Sequence, residues 1–381
     1  MEGVVLMATF GAFKVRRGGT VRAAVAVTVS SIIALSACGG SDDGGSEGGS
    51  KVELRLSSIE APTGAAGRSL DWWASEVGKR TDGRVTVKVF HAAALVPAAD
   101  VLQALKTKRI DIGYVGGPFY PKELGLWQIA SVPFVTSDAV GAANAFAKLY
   151  ESNEPFEKQF SAQSIRPLMF LPIAPGLIAS KSELTRTDQL KNKRLRAVGF
   201  LGQAAKSIGA TPVALPTNEV YDNLERGTIE GVFGAQLDSI VPLGWGEAAP
   251  HLVDAQLGIY TSNAIAINSD VYDDLSSEDQ KVIDTVSTEW QAEYLGLLAT
   301  SEKASCDKLK AAGGEVTELA ESEVDAMKSA VGDSLESSWS AASGASDDEA
   351  TTFLDAYKKL LGEGSAASTY ENGATLCAQQ N

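Results

Sequence analysis

Histidine is nearly missing from this chain of 381 residues, which holds only His91 and His251, and cysteine is scarce, with only Cys38, Cys306 and Cys377. Zinc sites need three or four closely spaced His or Cys ligands, and these five residues are scattered along the chain. Most nucleophilic triads need a histidine base near a credible Ser or Cys motif, and neither histidine has one. Basic residues are also in deficit, 33 Lys and Arg against 48 Asp and Glu, for a formal net charge of -15. That sign repels phosphate backbones, so no nucleic acid is expected as a partner. Nothing in the sequence calls for a cofactor or a resident metal, and none is expected. With 44% hydrophobic and 21% charged residues the chain has the composition of a globular protein, long enough for about two domains.

The longest uncharged stretch near the N-terminus, Ala23 to Ala37, follows the basic residues Lys14, Arg16, Arg17 and Arg22. As a helix it would reach about 22 Å, short of the roughly 30 Å hydrocarbon core of a bilayer, which fits a cleaved leader better than a permanent span. It ends in Leu35-Ser36-Ala37-Cys38, which resembles the bacterial lipobox. Residues 1–37 are therefore expected to be a lipoprotein signal peptide, with Cys38 the lipidated new N-terminus. Residues 38–50 would form the anchor and a flexible Gly/Ser/acidic tether. Within the tether Gly44-Gly45-Ser46-Glu47-Gly48 matches a nucleophile elbow, but without the flanking strand and helix that motif needs. Removing the leader shifts the net charge from -15 to -18. It would also place Cys306 and Cys377 in an oxidising compartment, where a disulfide would staple the C-terminal tail to a helix; two buried free thiols are the alternative.

From residue 51 strand and helix patterns alternate. Val52, Leu54 and Leu56 recur at period two, as do Val85, Val87 and Val89, while Leu70, Trp73, Ala74 and Val77 lie on one helical face between them. Ile110, Ile112 and Tyr114 mark another strand. This alternation predicts a parallel α/β sheet. Further strands are expected over Arg166 to Ile173, Gly176 to Ser180 and Lys193 to Val198, with helices over Gly202 to Ile208 and Thr217 to Arg226. Ser276 and Asp279 then cap a helix that runs to about Ala312, stopped by Gly313-Gly314. Its apolar stripe is Val282, Val286, Trp290, Tyr294 and Leu297. At some 54 Å it is too long for one compact domain, which suggests that it backs two lobes. Amphipathic helices around Val324, Met327 and Val331 and around Phe353, Tyr357, Leu360 and Leu361 complete the chain.

Four segments then read together. They are Ala104-Leu105 with Arg109-Ile110-Asp111-Ile112-Gly113 and Val132-Pro133-Phe134; Asp188-Gln189-Leu190 through Arg194-Leu195-Arg196; Ile208-Gly209-Ala210-Thr211-Pro212-Val213 with Asn218 through Gly231; and Ile267-Asn268 with Leu275-Ser276 and Asp279-Gln280. In this order and spacing the chain resembles the solute-binding proteins of tripartite ATP-independent periplasmic (TRAP) transporters, the DctP family, over residues 51 to about 340. Gly209 to Gly231 is the most specific part. The resemblance implies a two-lobed α/β clamp, like other periplasmic binding proteins, with the long helix spanning both lobes. Residues 51–170 would begin the first lobe and 171–258 form the core of the second. Residues 259–381 would supply a strand returning to the first lobe, the long helix and the C-terminal helices.

The resemblance assigns Arg196 to the ligand carboxylate, a task suited to a planar guanidinium that stays charged and donates two parallel hydrogen bonds. Phe233, Gly234 and Gln236 fall where the family lines its pocket. The residues add their own argument: ligands of open α/β sheets sit beyond the carboxyl ends of strands, which nominates Glu60, Ala61, Val115, Gly116 and Gly117. Thr217 is a plausible helix N-cap that faces the cleft, with Glu219 serving the positive end of that helix. Phe119, Tyr120, Trp127 and Phe134 are candidates for an apolar wall. Gly176 stands where several sugar-acid-binding members carry a second arginine, so a monocarboxylate with an apolar or aromatic body is favoured. The expected protein is a monomeric, non-enzymatic lipoprotein on the outer face of the cytoplasmic membrane, in the periplasm or at the cell surface. It would capture a small organic acid and hand it to the membrane permease subunits of a TRAP transporter. The rivals are a binding protein of an ATP-driven importer, a ligand-presenting sensor partner and a surface hydrolase.

Overall fold

The computed structural model describes residues 51–364 and 370–380. The leader, Cys38 and the tether lie outside the described residues. Eleven strands are found within them: β1 Val52–Ser57, β2 Val85–Phe90, β3 Ile112–Gly116, β4 Ile165–Phe170, β5 Leu177–Ser180, β6 Arg194–Arg196, β7 Thr211–Val213, β8 Gly231–Ala235, β9 His251–Asp254, β10 Asn263–Asn268 and β11 Glu315–Glu318. They form two sheets, β2-β1-β3-β10-β4 in the first lobe and β11-β9-β5-β8-β6-β7 in the second. The expectation of a parallel sheet holds only in part. β1 runs parallel to β2 and β3, but β10 is antiparallel to both β3 and β4, and β5 is antiparallel to β8 and β9. The antiparallel strands are those that enter directly after a lobe crossing, so no helical crossover sets their direction.

The chain changes sheets between β4 and β5 and again between β9 and β10, and the two crossings are tied together by the Gly176 N–H donating to the Gly258 carbonyl at 2.9 Å. The helix Ser277–Ala311 then carries the chain from the first sheet to the second, where β11 pairs with β9. Ser276 caps it, its hydroxyl accepting from the Asp279 N–H at 3.1 Å. Its buried face is Ile283, Val286, Trp290, Tyr294 and Leu298, one residue round from parts of the expected stripe; Val282 and Leu297 sit at its margin. Against the first lobe this face meets the helix Ala65–Arg80, and Trp73 Nε1 donates to Ser287 Oγ at 3.1 Å.

The same helix ends in the second lobe on a different chemistry. Cys306 and Cys377 are joined as a disulfide, with Cα atoms 5.7 Å apart. One turn earlier Glu302, 0% exposed, accepts from the Tyr370 hydroxyl at 3.0 and 2.9 Å and from the Gly373 N–H at 3.3 Å. Burial pushes its carboxyl up to about 8. The C-terminal helices bridge back: Glu321–Val331 and Ser334–Ala342 lead from the second lobe to Trp339, whose Nε1 donates to the Gly125 and Leu126 carbonyls at 3.1 and 3.2 Å in the first. Asp347–Gly364 packs on the helix Ala139–Ser152, with Tyr357 stacked 4.7 Å from Phe146. Apolar side chains from both lobes and these helices therefore share one core, in which Trp127, Phe146, Leu195, Leu201, Phe233 and Trp339 are all buried.

Candidate functional site

Arg196 is the last residue of β6, an inner strand whose other neighbours are β7 and β8. The pleat turns Leu195 into the core, fully buried, and sends Arg196 the other way, partly exposed. There its Nε donates to the Leu215 carbonyl at 3.3 Å, which fixes the plane of the guanidinium. No carboxylate among the described residues lies within ion-pair distance of it, and its terminal nitrogens have no protein acceptor. Burial alone lowers its proton affinity, opposed only by the neighbouring Tyr260. A desolvated, oriented and unpaired guanidinium is a standing demand for an anion.

It lines a cavity of about 450 Å³ walled by both lobes, within the size range of small-molecule sites. Pro118, Pro121, Gln128 and Ser131 come from the first lobe, Val198, Phe200, Leu201 and Gln203 from the helix Gly199–Ser207 and its entry, and Trp339 from the C-terminal bridge. Tyr260 and Thr261, in the crossing from β9 to β10, close the wall beside the arginine. The Tyr260 hydroxyl donates to Gln236 Oε1 at 3.2 Å. Gln236 is the N-cap position of the short helix Leu237–Ile240 directly after β8, and that helix carries Asp238. Burial, aided by the charge of Glu60 and opposed by a hydrogen bond from the Gln236 side chain, raises the Asp238 carboxyl to about 6. Glu60 lies just past β1, beside the Tyr114 hydroxyl, and burial pushes its carboxyl up as well.

The expected site residues divide. Arg196 shares the cavity wall with Tyr260, whose hydroxyl bonds Gln236, whereas Glu60 is not among the residues that line the cavity. Gly234 sits at φ +87°, where a Cβ would run into the Leu201 side chain, so its role is to let the helix Gly199–Ser207 approach β8. Phe233 and Val115 are 0% exposed and packed in the shared core rather than at a cavity wall. Gly116 ends β3, and Gly117 donates its N–H to the Ser262 carbonyl at 2.8 Å, so these two hold the first lobe to the β9–β10 crossing. Ala61 is exposed in the loop beyond β1.

Thr217 is exposed too, and the expected cap is corrected: Pro216 occupies the N-cap position of a single turn, Thr217–Glu219, with no side-chain cap bond. A proline ahead of the turn fixes its entry angle and leaves the threonine hydroxyl on the outside. The aromatic wall also differs from expectation. Tyr120 and Trp127 are core residues and Phe119 is half exposed, while Phe200 and Trp339 line the cavity in their place. Gly176 has Tyr260 and Gly234 so close that any Cβ would press on them at 3.1 and 3.2 Å, so an arginine there would have to displace the cavity wall.

A second cavity of about 440 Å³ lies on the first lobe between the helix Ala139–Ser152, β4 and the long helix. Its arginine, Arg166, is already paired with Asp284 at 3.3 Å and stacked over Tyr272, which leaves it little to offer an anion. Among the described residues no group of three His, Cys, Asp or Glu is placed to hold a metal ion, and no helix is long and apolar enough to cross a membrane.

Two α/β lobes joined by paired crossings and a shared helix, with a lone arginine in the cleft between them, define a solute-binding clamp. The chain belongs to the DctP family, bacterial extracellular solute-binding protein family 7, whose model matches residues 56–341. Among its relatives is the ectoine-binding periplasmic protein TeaA of Halomonas elongata, 25% identical over 252 residues that cover 64% of this chain and 72% of the relative. The fold is also that of a TRAP periplasmic solute-binding protein from Desulfovibrio salexigens, solved as an open complex, with a TM-score of 0.71 and 21% identity over 84% of this chain and 98% of the other. A marine metagenome TRAP protein specific for aromatic acid ligands, solved with metahydroxyphenylacetate, matches at a TM-score of 0.71 and 20% identity, covering 83% of this chain and all of the other (100%).

Proposed function

We propose that this protein captures a small organic acid, with Arg196 as the anchor for its carboxylate, and delivers it to the membrane subunits of a TRAP permease. The observation that carries the reading is the unpaired, desolvated Arg196 guanidinium in the wall of the 450 Å³ cavity. Pro118, Pro121, Phe200, Leu201 and Trp339 make the rest of that wall mostly apolar, which favours a ligand with an apolar or aromatic body. A ligand bridging the lobes would favour the closed arrangement by contacts to both, with the two crossings as hinges. The leader and Cys38 support a lipid-anchored monomer on the outer face of the membrane, a short tether's length from the permease.

A thermal-shift screen over aromatic acids, 2-oxoacids, dicarboxylates, uronates and ectoine tests the reading. A true ligand at 100 times its dissociation constant adds about 2.7 kcal/mol of stability. The shift should be present in the wild type and absent in Arg196→Ala. A ligand that shifts both equally would remove Arg196 from the role. Sequence alone leaves an ATP-driven importer as a rival, and the DctP match over residues 56–341 weighs against it.

A further inference from the structure

The polar groups that line the Arg196 cavity differ in how much freedom they keep. Gln128, on the short 3-10 helix Leu126–Ser131 of the first lobe, is buried, and both its amide hydrogens are spent. Its Nε2 donates to the Gly117 carbonyl at 2.8 Å and to the Leu124 carbonyl at 3.1 Å. Two carbonyl partners settle which end of the amide is nitrogen. They leave Oε1, which takes no donor from the described residues, as the only polar atom this side chain can offer a ligand. It is an acceptor that cannot turn into a donor. Three residues on, Ser131 lines the same cavity from the same edge of the helix, because side chains at i and i+3 eclipse in a 3-10 turn. Its hydroxyl is shut off from solvent and has no hydrogen-bond partner, and rotation about a single side-chain bond redirects it.

The remaining polar groups of the wall make no such demand. The Tyr260 hydroxyl already donates to Gln236, the Thr261 hydroxyl donates or accepts alike, and Gln203 is exposed and free to present either end of its amide. No Asp or Glu is among the residues that line the cavity, so a cationic group on the ligand body would enter without a counter-charge. A fixed acceptor beside an unpartnered hydroxyl calls instead for a neutral group that donates and accepts at once. Resting on the reading of this cleft as a carboxylate site, we propose that Gln128 and Ser131 are its specificity-determining pair. They bind one hydroxyl on the body of the solute, Gln128 Oε1 accepting from it and Ser131 Oγ donating to it, while Arg196 holds the carboxylate from the other lobe. Selection comes from the penalty on the analogue that lacks the hydroxyl, which leaves both groups unpaired in an apolar pocket.

The test is calorimetric titration of the full mature chain with pairs of acids that differ by one hydroxyl. Suitable pairs are 4-hydroxyphenylacetate against phenylacetate, 3-hydroxybenzoate against benzoate, and 5-hydroxypentanoate against pentanoate. In at least one pair the hydroxylated acid should bind at least tenfold tighter. Ser131→Ala and Gln128→Leu, each checked by its melting curve, should each cut that ratio at least threefold, and Arg196→Ala should weaken both members. The ratio is the quantity to read, because a purely structural role for Gln128, tying the Gly117 loop to the helix, would weaken both members alike. Should Gln128→Leu fail to fold, Ser131→Ala decides alone. Equal binding within every pair, preference for the acid without the hydroxyl, a ratio that either folded variant leaves unmoved, or no binding of any hydroxylated acid would overturn the assignment of the pair. In the first three of these outcomes the carboxylate reading survives if Arg196→Ala still weakens binding; it falls only if Arg196→Ala leaves both members untouched or no acid of either kind binds.

Discussion

The outer edge of the first lobe and the cleft use the same kinds of side chain in opposite ways. At the edge, Asp111 accepts three N–H groups of Arg55, from its backbone N, Nε and Nη2, at 2.8 to 3.1 Å, and Arg84 meets Asp279 at 2.9 Å. In the cavity wall Arg196 has no ion-pair partner among the described residues, and neither do Glu60 and Asp238 behind it. Paired charges make the arginine harder to deprotonate, and the lone one is easier; Arg55 is raised by Asp111 and Arg196 lowered by burial. The edge spends its charges on the fold. The cleft leaves its arginine with a single carbonyl acceptor and no carboxylate, as the proposed anchoring of an anion by Arg196 requires.

Substitutions can break that contrast, and the largest effect on stability should come at the edge. Asp111→Ala leaves Arg55 Nε and its backbone N–H without an acceptor, Nη2 keeping the Lys108 carbonyl, and should destabilise by about 2 kcal/mol, held below the fully buried value because Arg55 is partly in water. Chemical denaturation reads it directly, with ligand affinity unchanged. Arg196→Ala should weaken carboxylate binding at least tenfold, about 1.4 kcal/mol, with the melting curve nearly unmoved. Glu302 sharpens the contrast through pH. Its folded value of about 8 lies above the 4.5 of an exposed glutamate, so the folded state keeps a proton that the unfolded state releases. Its contribution to stability is full below about 4.5 and is lost as pH rises through about 8. Glu302→Gln should flatten the fall in melting temperature over that window. The smallest effect belongs to the exposed Arg80–Glu289 pair, where Glu289→Ala should leave the melting curve within error.

Much of the frame was legible in the residues because local signals and tertiary structure agree. The long helix is delimited by the Ser276 cap and the Gly313-Gly314 stop, and both hold in the structure. β9 and β11 escaped notice because four-residue strands carry too short a period to register. The antiparallel sense of β5 and β10 is set by the lobe crossings, which no local pattern encodes. At the site, Arg196 is marked by its strand and its motif, whereas Tyr260, Phe200 and Trp339 come from a crossing, a helix entry and a C-terminal bridge that meet only in the folded chain. Asp238 was missed for the same reason. Nothing near it in sequence signals burial, and its environment is made by Glu60 from the other lobe and by Gln236.

The central claim is that Arg196 is held out of the fold's own ion pairs in order to bind an anion. Its most direct test is one titration and one melt on each of Arg196→Ala and Asp111→Ala, using the acid found by the thermal-shift screen. The account predicts that the first loses at least tenfold in affinity and keeps its melting temperature, while the second keeps its affinity and melts lower. Retained affinity in Arg196→Ala, or a loss of stability there equal to that of Asp111→Ala, would contradict it.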